Sequence, residues 1–263
     1  MNDAVRDAVI ETFCRELKLP TVRQDYQDLA REARQADLGM EAYLHLVLEA
    51  EVLERRRRSV ARRLREAKFP DINTLDQLDY GALSGITRGQ LATLATCGFI
   101  DAHQTVVIAG PIGTGKTHTA IALGVEAARR QRRVSFVRAA DLVRELVEAR
   151  DERRLLRLGE HYRRVELLII DELGFVPFSV QEGELLFNLL ADRYEKGAVI
   201  LTTNLTFGQW TQVFQNEKLT VALLDRLTHH SHILTTHGTS YRSQHRQVAS
   251  PNAAEPEVAD VSP

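Results

Sequence analysis

The run Gly110-Pro111-Ile112-Gly113-Thr114-Gly115-Lys116-Thr117 meets every fixed position of the pattern G-x-x-x-x-G-K-[ST]. A β-branched, apolar stretch at 105–109 stands before it, and a helix-periodic stretch at 118–128 follows. Strand, glycine loop and helix therefore occur in the order that a phosphate cradle needs. Glycines let backbone N–H groups converge on phosphate oxygens. The helix N-terminus adds its dipole and its unpaired donors. Lys116 can reach β- and γ-phosphates, and the Thr117 hydroxyl can ligate Mg2+. The chemistry expected here is that of a nucleoside triphosphate.

A second group of residues supplies what hydrolysis would require. Glu166 to Ile170 ends in Asp171 and Glu172, so a buried strand delivers two carboxylates to its C-terminal edge, where ligands sit in open α/β sheets. Asp171 can hold Mg2+ through water, and Glu172 can orient and deprotonate an attacking water. The stretch 198–204 is another buried strand with a polar tip. Asn204 there could position the lytic water or sense the γ-phosphate, although asparagine also commonly starts turns. Arg226 lies among apolar neighbours on a helix expected at 219–229. It is either half of a surface pair with Asp225 or an arginine finger for a neighbouring subunit. Arg242, after the turn at Gly238, is a second candidate for γ-phosphate contact. His229, His230, His232 and His237 match no strong zinc spacing and have no cysteine support.

The elements that must position these groups follow from periodicity. A strand is expected at 134–137, helices at 140–150 and 152–162, and an amphipathic helix at 181–196 that Gly197 ends. A last strand is expected at 231–236. With 44% hydrophobic residues in 263, the chain can bury a substantial core. Its net charge of −2 means that any nucleic-acid surface must be local. Cys14 and Cys97 make neither a C-x-x-C nor a disulfide framework, which fits a reducing cytoplasm. The first residues lack the basic start and apolar core of a signal peptide, and no apolar run approaches a membrane span. A cytoplasmic location without membrane contact is expected.

Residues 1–68 read as a helical module for DNA binding and oligomerisation. A weak helix covers 1–18. Thr21 with Gln24 predicts a capping box for a helix to about Ala36, with Val22, Tyr26, Leu29 and Ala33 on one face. A long helix follows over 40–68, with Tyr43, Leu44, Val47 and Leu48 as its packing stripe. Its second half carries Arg55, Arg56, Arg57, Arg58, Arg62, Arg63, Arg65 and Lys68, opposed by Glu54 and Glu66. Part of that charge must meet solvent or an anion. Scarce acidic partners favour phosphate-backbone contact over a solvated helix with pairs such as Glu54–Arg58. Without interleaved aromatics, duplex DNA is favoured over single strands. Residues 69–104 read as a connecting segment, near where adenine pockets are often built. Residues 105–246 form the nucleotide-hydrolysing domain, and 247–263, with Pro251, Pro256 and Pro263, read as a disordered tail.

From about residue 17 to 246 the chain resembles the IstB family, the ATP-binding helpers of insertion-sequence transposition, in the same AAA+ clade as the DnaC helicase loader. The resemblance rests on GPIGTGKTH at 110–118, LLIIDELGFVP at 167–177, LTTNLTFGQW at 201–210, LLDRLTHHSHIL at 223–234 and GTSYR at 238–242. It implies an α/β fold: a AAA+ P-loop NTPase with a parallel central sheet, preceded by a small all-helical N-terminal domain. It implies that residues 110–118, His118 included, hold ATP with Mg2+. Asp171 and Glu172 match Walker B, Asn204 sensor 1, Arg226 the arginine finger and Arg242 sensor 2. The implied partners are duplex DNA, further copies of the chain in an ATP-promoted homo-oligomer, and a transposase. Ile112 stands where the family commonly has proline, and Thr203 where it often has serine. A replicative helicase loader, sharing the same core, is the alternative function.

Overall fold

The computed structural model describes residues 2–81, 83–229 and 231–238. His230, Arg242 and the tail from 247 lie outside the described residues. The chain divides into two compact units, one ending at Arg65 and one starting at Glu66.

The first unit is built from α1 (Asp3–Glu16), α2 (Pro20–Gln35) and α3 (Met40–Glu66). Its apolar core is small: Cys14, Val22 and Val47 are buried, with Ile10, Leu19, Tyr26, Leu29 and Tyr43 packed around them. Only half of the expected α3 stripe is used. Val47 is buried, whereas Leu44 and Leu48 are 56% and 48% exposed.

The expected Thr21–Gln24 capping box does not form. Leu19 is the N-cap of α2, with no side-chain oxygen to offer, and Pro20 occupies the first helical position. The unpaired N–H groups of Thr21 and Val22 instead donate to Glu51 Oε2, from α3, at 2.8 and 3.1 Å. Arg55 Nη2 donates to Glu51 Oε1 at 2.9 Å and to the Lys18 carbonyl at 2.6 Å. Burial pushes the Glu51 carboxyl up, but hydrogen bonds from Val22, Arg55 and Thr21 outweigh it and hold the group below its ordinary value. One buried carboxylate thus joins α3 to the start of α2 and, through Arg55, to the α1–α2 turn in a unit with little apolar core.

The second unit begins with a segment that carries α4 (Arg88–Ala95) and α5 (Gly98–Asp101). Thr87 and Gln90 form a capping box at the start of α4. Then follow β1 (Thr105–Ala109), α6 (Lys116–Arg129), β2 (Val134–Arg138), α7 (Ala139–Asp151), α8 (Leu155–Arg163), β3 (Leu167–Leu173), α9 (Val180–Arg193), β4 (Ala198–Thr203), α10 (Trp210–Phe214), α11 (Glu217–His229) and β5 (Ser231–Thr235). The strands form one parallel sheet in the order β2-β3-β4-β1-β5. Val107, Leu168, Ile170, Val199 and Leu201 pack into the core shared with α7, α9 and α11. Their alternates Val106, Ile108, Leu167, Ile169 and Ile200 are buried too. By strand alternation these point to the other face, which α6 covers. A sheet buried on both faces explains why the strands read as continuous apolar runs.

α9 does not run to Gly197. It stops at Arg193, with Tyr194 leaving the helix into a turn at φ −53° and ψ 127°. Gly197 serves a close approach instead, because a Cβ there would lie 2.6 Å from Arg193 Nη2. Arg193 is 3% exposed. Its guanidinium donates to the carbonyls of Tyr162, Val165 and Ala198, tying the ends of α8 and α9 to the start of β4. Burial lowers its pKa to about 10.

Two outcomes are expected. Glu51→Ala destabilises the first unit by about 2 kcal/mol, measured by urea unfolding of the full chain followed by circular dichroism. The folded pKa of Glu51 lies below the unfolded value of 4.5. Its contribution is therefore complete above that pH and is lost as pH falls through the folded value. Glu51→Gln removes this part of the acid sensitivity. Arg193→Met strands buried carbonyls and costs about 3 kcal/mol, read as a lowered thermal midpoint.

Candidate functional site

The cleft lies at the carboxyl ends of the strands, and β1 delivers its main wall. The loop after β1 places Gly110, Gly113 and Gly115 at φ values of 147°, 81° and 86°. L side chains rarely adopt that run of conformations, and a Cβ at Gly110 would sit 2.1 Å from Thr236 Oγ1. The loop closes on itself through Thr114, whose hydroxyl donates to the Pro111 carbonyl at 2.8 Å. Lys116 Nζ donates to the same carbonyl at 2.7 Å. Gly115 caps α6, so the first N–H groups of a 14-residue helix open onto the loop.

β3 brings the acids. Asp171 is 2% exposed. It accepts from Thr117 Oγ1 at 2.9 and 3.2 Å, and from Thr202 Oγ1 on β4 at 2.5 Å. Neighbouring strand residues normally face opposite sides of a sheet. Here Glu172 takes a left-handed φ of 60°, where the β3–β4 register shifts between Ile170 and Leu173. Its N–H donates to Thr202 Oγ1 at 2.9 Å. The kink lets Glu172 line the same cleft as Asp171. Strained conformations of this kind cost about 1–3 kcal/mol and recur at functional sites. Arg138, at the end of β2, brings its Nε to 4.0 Å from Glu172 Oε2.

The cleft has a volume of about 470 Å3, within the range of small-molecule sites. Ile112 to His118, Asp171, Glu172 and Asn204 line it, and so do Pro70, Asp71, Gln77, Asp79 and Leu83 from the segment before β1. Gly110 and Pro111 shape the loop from behind rather than lining the cavity. His118 Nε2 lies 3.3 Å from the Thr74 carbonyl, joining α6 to that segment.

The residues fit a nucleotide and its metal. The glycine loop and helix N-terminus provide donors for phosphate. Thr117 and Asp171 set hard oxygen ligands side by side, the kind that suit Mg2+. Among the described residues no group of three or more His, Cys, Asp and Glu is placed to hold a metal.

Arg226 is not brought to this cleft. It lies over the Phe187 ring at 5.2 Å and lines a small cavity with Thr105 and Tyr194, at the opposite end of β1. Of the expected DNA-contacting residues, Arg55 is tied to Glu51 and the Lys18 carbonyl, and Arg57 and Arg58 both bond Glu54 at 2.7 Å. Acidic partners are therefore less scarce than the sequence suggests, because two glutamates engage three arginines. Arg56, Arg62, Arg65 and Lys68 are exposed, and Arg63 is half-buried.

Sequence reasoning passed over Thr202, Arg138 and Thr236, and placed the segment at 69–104 near a base pocket without naming which of its residues line the cleft. Thr202 had a usable signal, a hydroxyl beside that of Thr203 at the end of an apolar strand. Arg138 had none, and the individual wall residues had only their place ahead of β1, since they reach the cleft through the strand order and the path of the chain.

A profile of the IstB-like ATP-binding protein family matches residues 12–249. The ATP-binding protein of insertion sequence IS21 from Pseudomonas aeruginosa is 36% identical over 240 residues, covering 91% of each chain. That of IS5376 from Geobacillus stearothermophilus is 34% identical over 239 residues, 91% of this chain and 95% of the relative. Among solved structures, AMPPCP-bound DnaA from Aquifex aeolicus superposes with a TM-score of 0.53 at 22% identity, covering 66% of this chain and 52% of that one. At that identity the likeness speaks for the fold, an AAA+ P-loop module. On the family match and the two insertion-sequence relatives, the chain belongs to the IstB-like ATP-binding proteins.

Proposed function

We propose that the chain hydrolyses ATP, assembles on duplex DNA and serves a transposase. The observation that carries this is the convergence of Lys116, Thr117, Asp171 and Glu172 on one cleft. Thr117 and Asp171 would hold Mg2+, which when bound neutralises charge on the phosphates. Lys116 adds a positive charge to the same oxygens once it leaves the Pro111 carbonyl. Glu172, aimed by its left-handed backbone, orients the attacking water and takes its proton. Asn204, at the tip of β4, assists in positioning that water.

Arg226 lies away from the cleft of its own chain, which favours a contribution to the site of a neighbouring copy. Arg242 is the further candidate for γ-phosphate contact. In this reading 1–68 contacts DNA and supports oligomerisation, 105–246 is the ATPase domain, and 69–104 connects them while lending wall residues to the cleft. The exposed Arg56, Arg62, Arg65 and Lys68 favour contact with a phosphate backbone. The insertion-sequence context of the relatives supports a transposase as partner. No helix among the described residues is long and apolar enough to cross a membrane.

The test is ATP hydrolysis with and without duplex DNA, with particle size followed by light scattering. Stimulation by duplex together with ATP-dependent assembly supports the proposal. Stimulation by single strands alone would move the assignment to a helicase loader. Lys116→Ala is expected to abolish nucleotide binding. Glu172→Gln is expected to bind ATP normally and to lose at least about 100-fold in turnover, and normal turnover in that variant would sink the assignment of the base. Arg56→Ala with Arg65→Ala should weaken duplex binding across sequences. It should also lower the slope of log affinity against log salt by about 2.

A further inference from the structure

The residue that follows β5, Thr236, has no part in the chemistry above, yet it is fully buried against the back of the nucleotide loop. Its Oγ1 lies 2.6 Å from Thr114 Oγ1. Its N–H donates to the Ala109 carbonyl at 2.8 Å, and its hydroxyl lies 3.3 Å from that same carbonyl. Gly110 has room for no side chain because Thr236 occupies the space. From the other side, His237 N–H donates to the Ser84 carbonyl at 2.9 Å, in an antiparallel bridge that holds this chain end down.

Counting protons orders these contacts. Two hydroxyls have two protons, but three contacts need one: Thr114 to Pro111, Thr114 with Thr236, and Thr236 to Ala109. The Ala109 carbonyl is already served by the Thr236 N–H, and the hydroxyl contact to it is the longest of the three. The protons therefore run from Thr236 to Thr114 and from Thr114 to the Pro111 carbonyl, which also accepts from Lys116. We infer that Thr236 is a positioning residue for nucleotide binding: its hydroxyl fixes the Thr114 rotamer, and through Pro111 it sets the loop shape and the resting place of Lys116. Thr236 does not line the cleft, so it acts on affinity and not on the chemical step. The inference rests on 110–117 being the nucleotide loop.

The test measures Mg2+–ATP affinity by calorimetry and turnover at saturating ATP, on the full chain. Thr236→Val, which keeps shape and removes the hydroxyl, should weaken ATP binding roughly tenfold while turnover at saturation changes less than about threefold. Thr236→Ser should restore binding to within about twofold of the parent, since it keeps the donor. Thr114→Val should also weaken binding, and the double variant should be no weaker than Thr114→Val alone, because both remove one link. Parent-like affinity in Thr236→Val, a Ser variant as weak as Val, or additive losses would each overturn the inference. Thermal unfolding without nucleotide identifies a folding defect. If Thr236→Val does not fold, parent-like affinity in Thr114→Val overturns the inference and a tenfold loss supports it. Failure of the unaltered chain to bind ATP would instead remove the nucleotide-loop reading itself, a separate outcome.

Discussion

A carboxylate held almost out of water governs the arrangement around it. Asp171 is 2% exposed, and an ionised group at that depth is costly unless hydrogen bonds replace its lost hydration. The replacements come from two other elements, Thr117 at the start of α6 and Thr202 on β4. Both must arrive at the end of β3. A parallel sheet with β3 beside β4, and with α6 packed across it, satisfies that demand. The same Thr202 hydroxyl accepts from the Glu172 N–H and so stabilises the left-handed turn that aims the second acid.

The nucleotide loop follows the same economy of shared groups. One carbonyl, that of Pro111, accepts from both Thr114 and Lys116. One hydroxyl, that of Thr236, backs the loop from just beyond the end of β5, the strand paired with β1. Phosphate donors are therefore presented by a backbone that is braced from behind. A braced loop loses less conformational freedom on binding than a loose one.

The first unit is organised by charge in place of apolar burial. Its core is small, and Glu51 compensates by capping α2 and engaging Arg55, which in turn holds the turn between α1 and α2. This divides the arginine-rich helix into two kinds of residue. Arg55, Arg57 and Arg58 are engaged with glutamates of the unit itself, while Arg56 and Arg65 present exposed charge.

The strands, the glycine loop and the paired acids were legible in the sequence because each is a local pattern. β1 spans Thr105–Ala109 as its β-branched run predicts, and β3 carries Asp171 and Glu172 at its C-terminal end. Loop conformation at Gly110 and apolar periodicity are dictated by neighbours a few residues away. What could not be read was every contact whose partners are far apart in the chain. Thr21 is separated by 30 residues from the Glu51 that caps its helix, so a local capping box looked sufficient. Gly197 looked like a helix stop because its true neighbour, the Arg193 guanidinium, is set by how α8, α9 and β4 meet. Thr114 and Thr236 are 122 residues apart, and no pattern in either stretch announces the other. Sequence alone determined which groups could carry the chemistry, since residue type and local spacing set donors, acceptors and backbone freedom. Tertiary structure decided which of them share a cleft, because strand order and helix packing choose the neighbours of a buried hydroxyl or carboxylate.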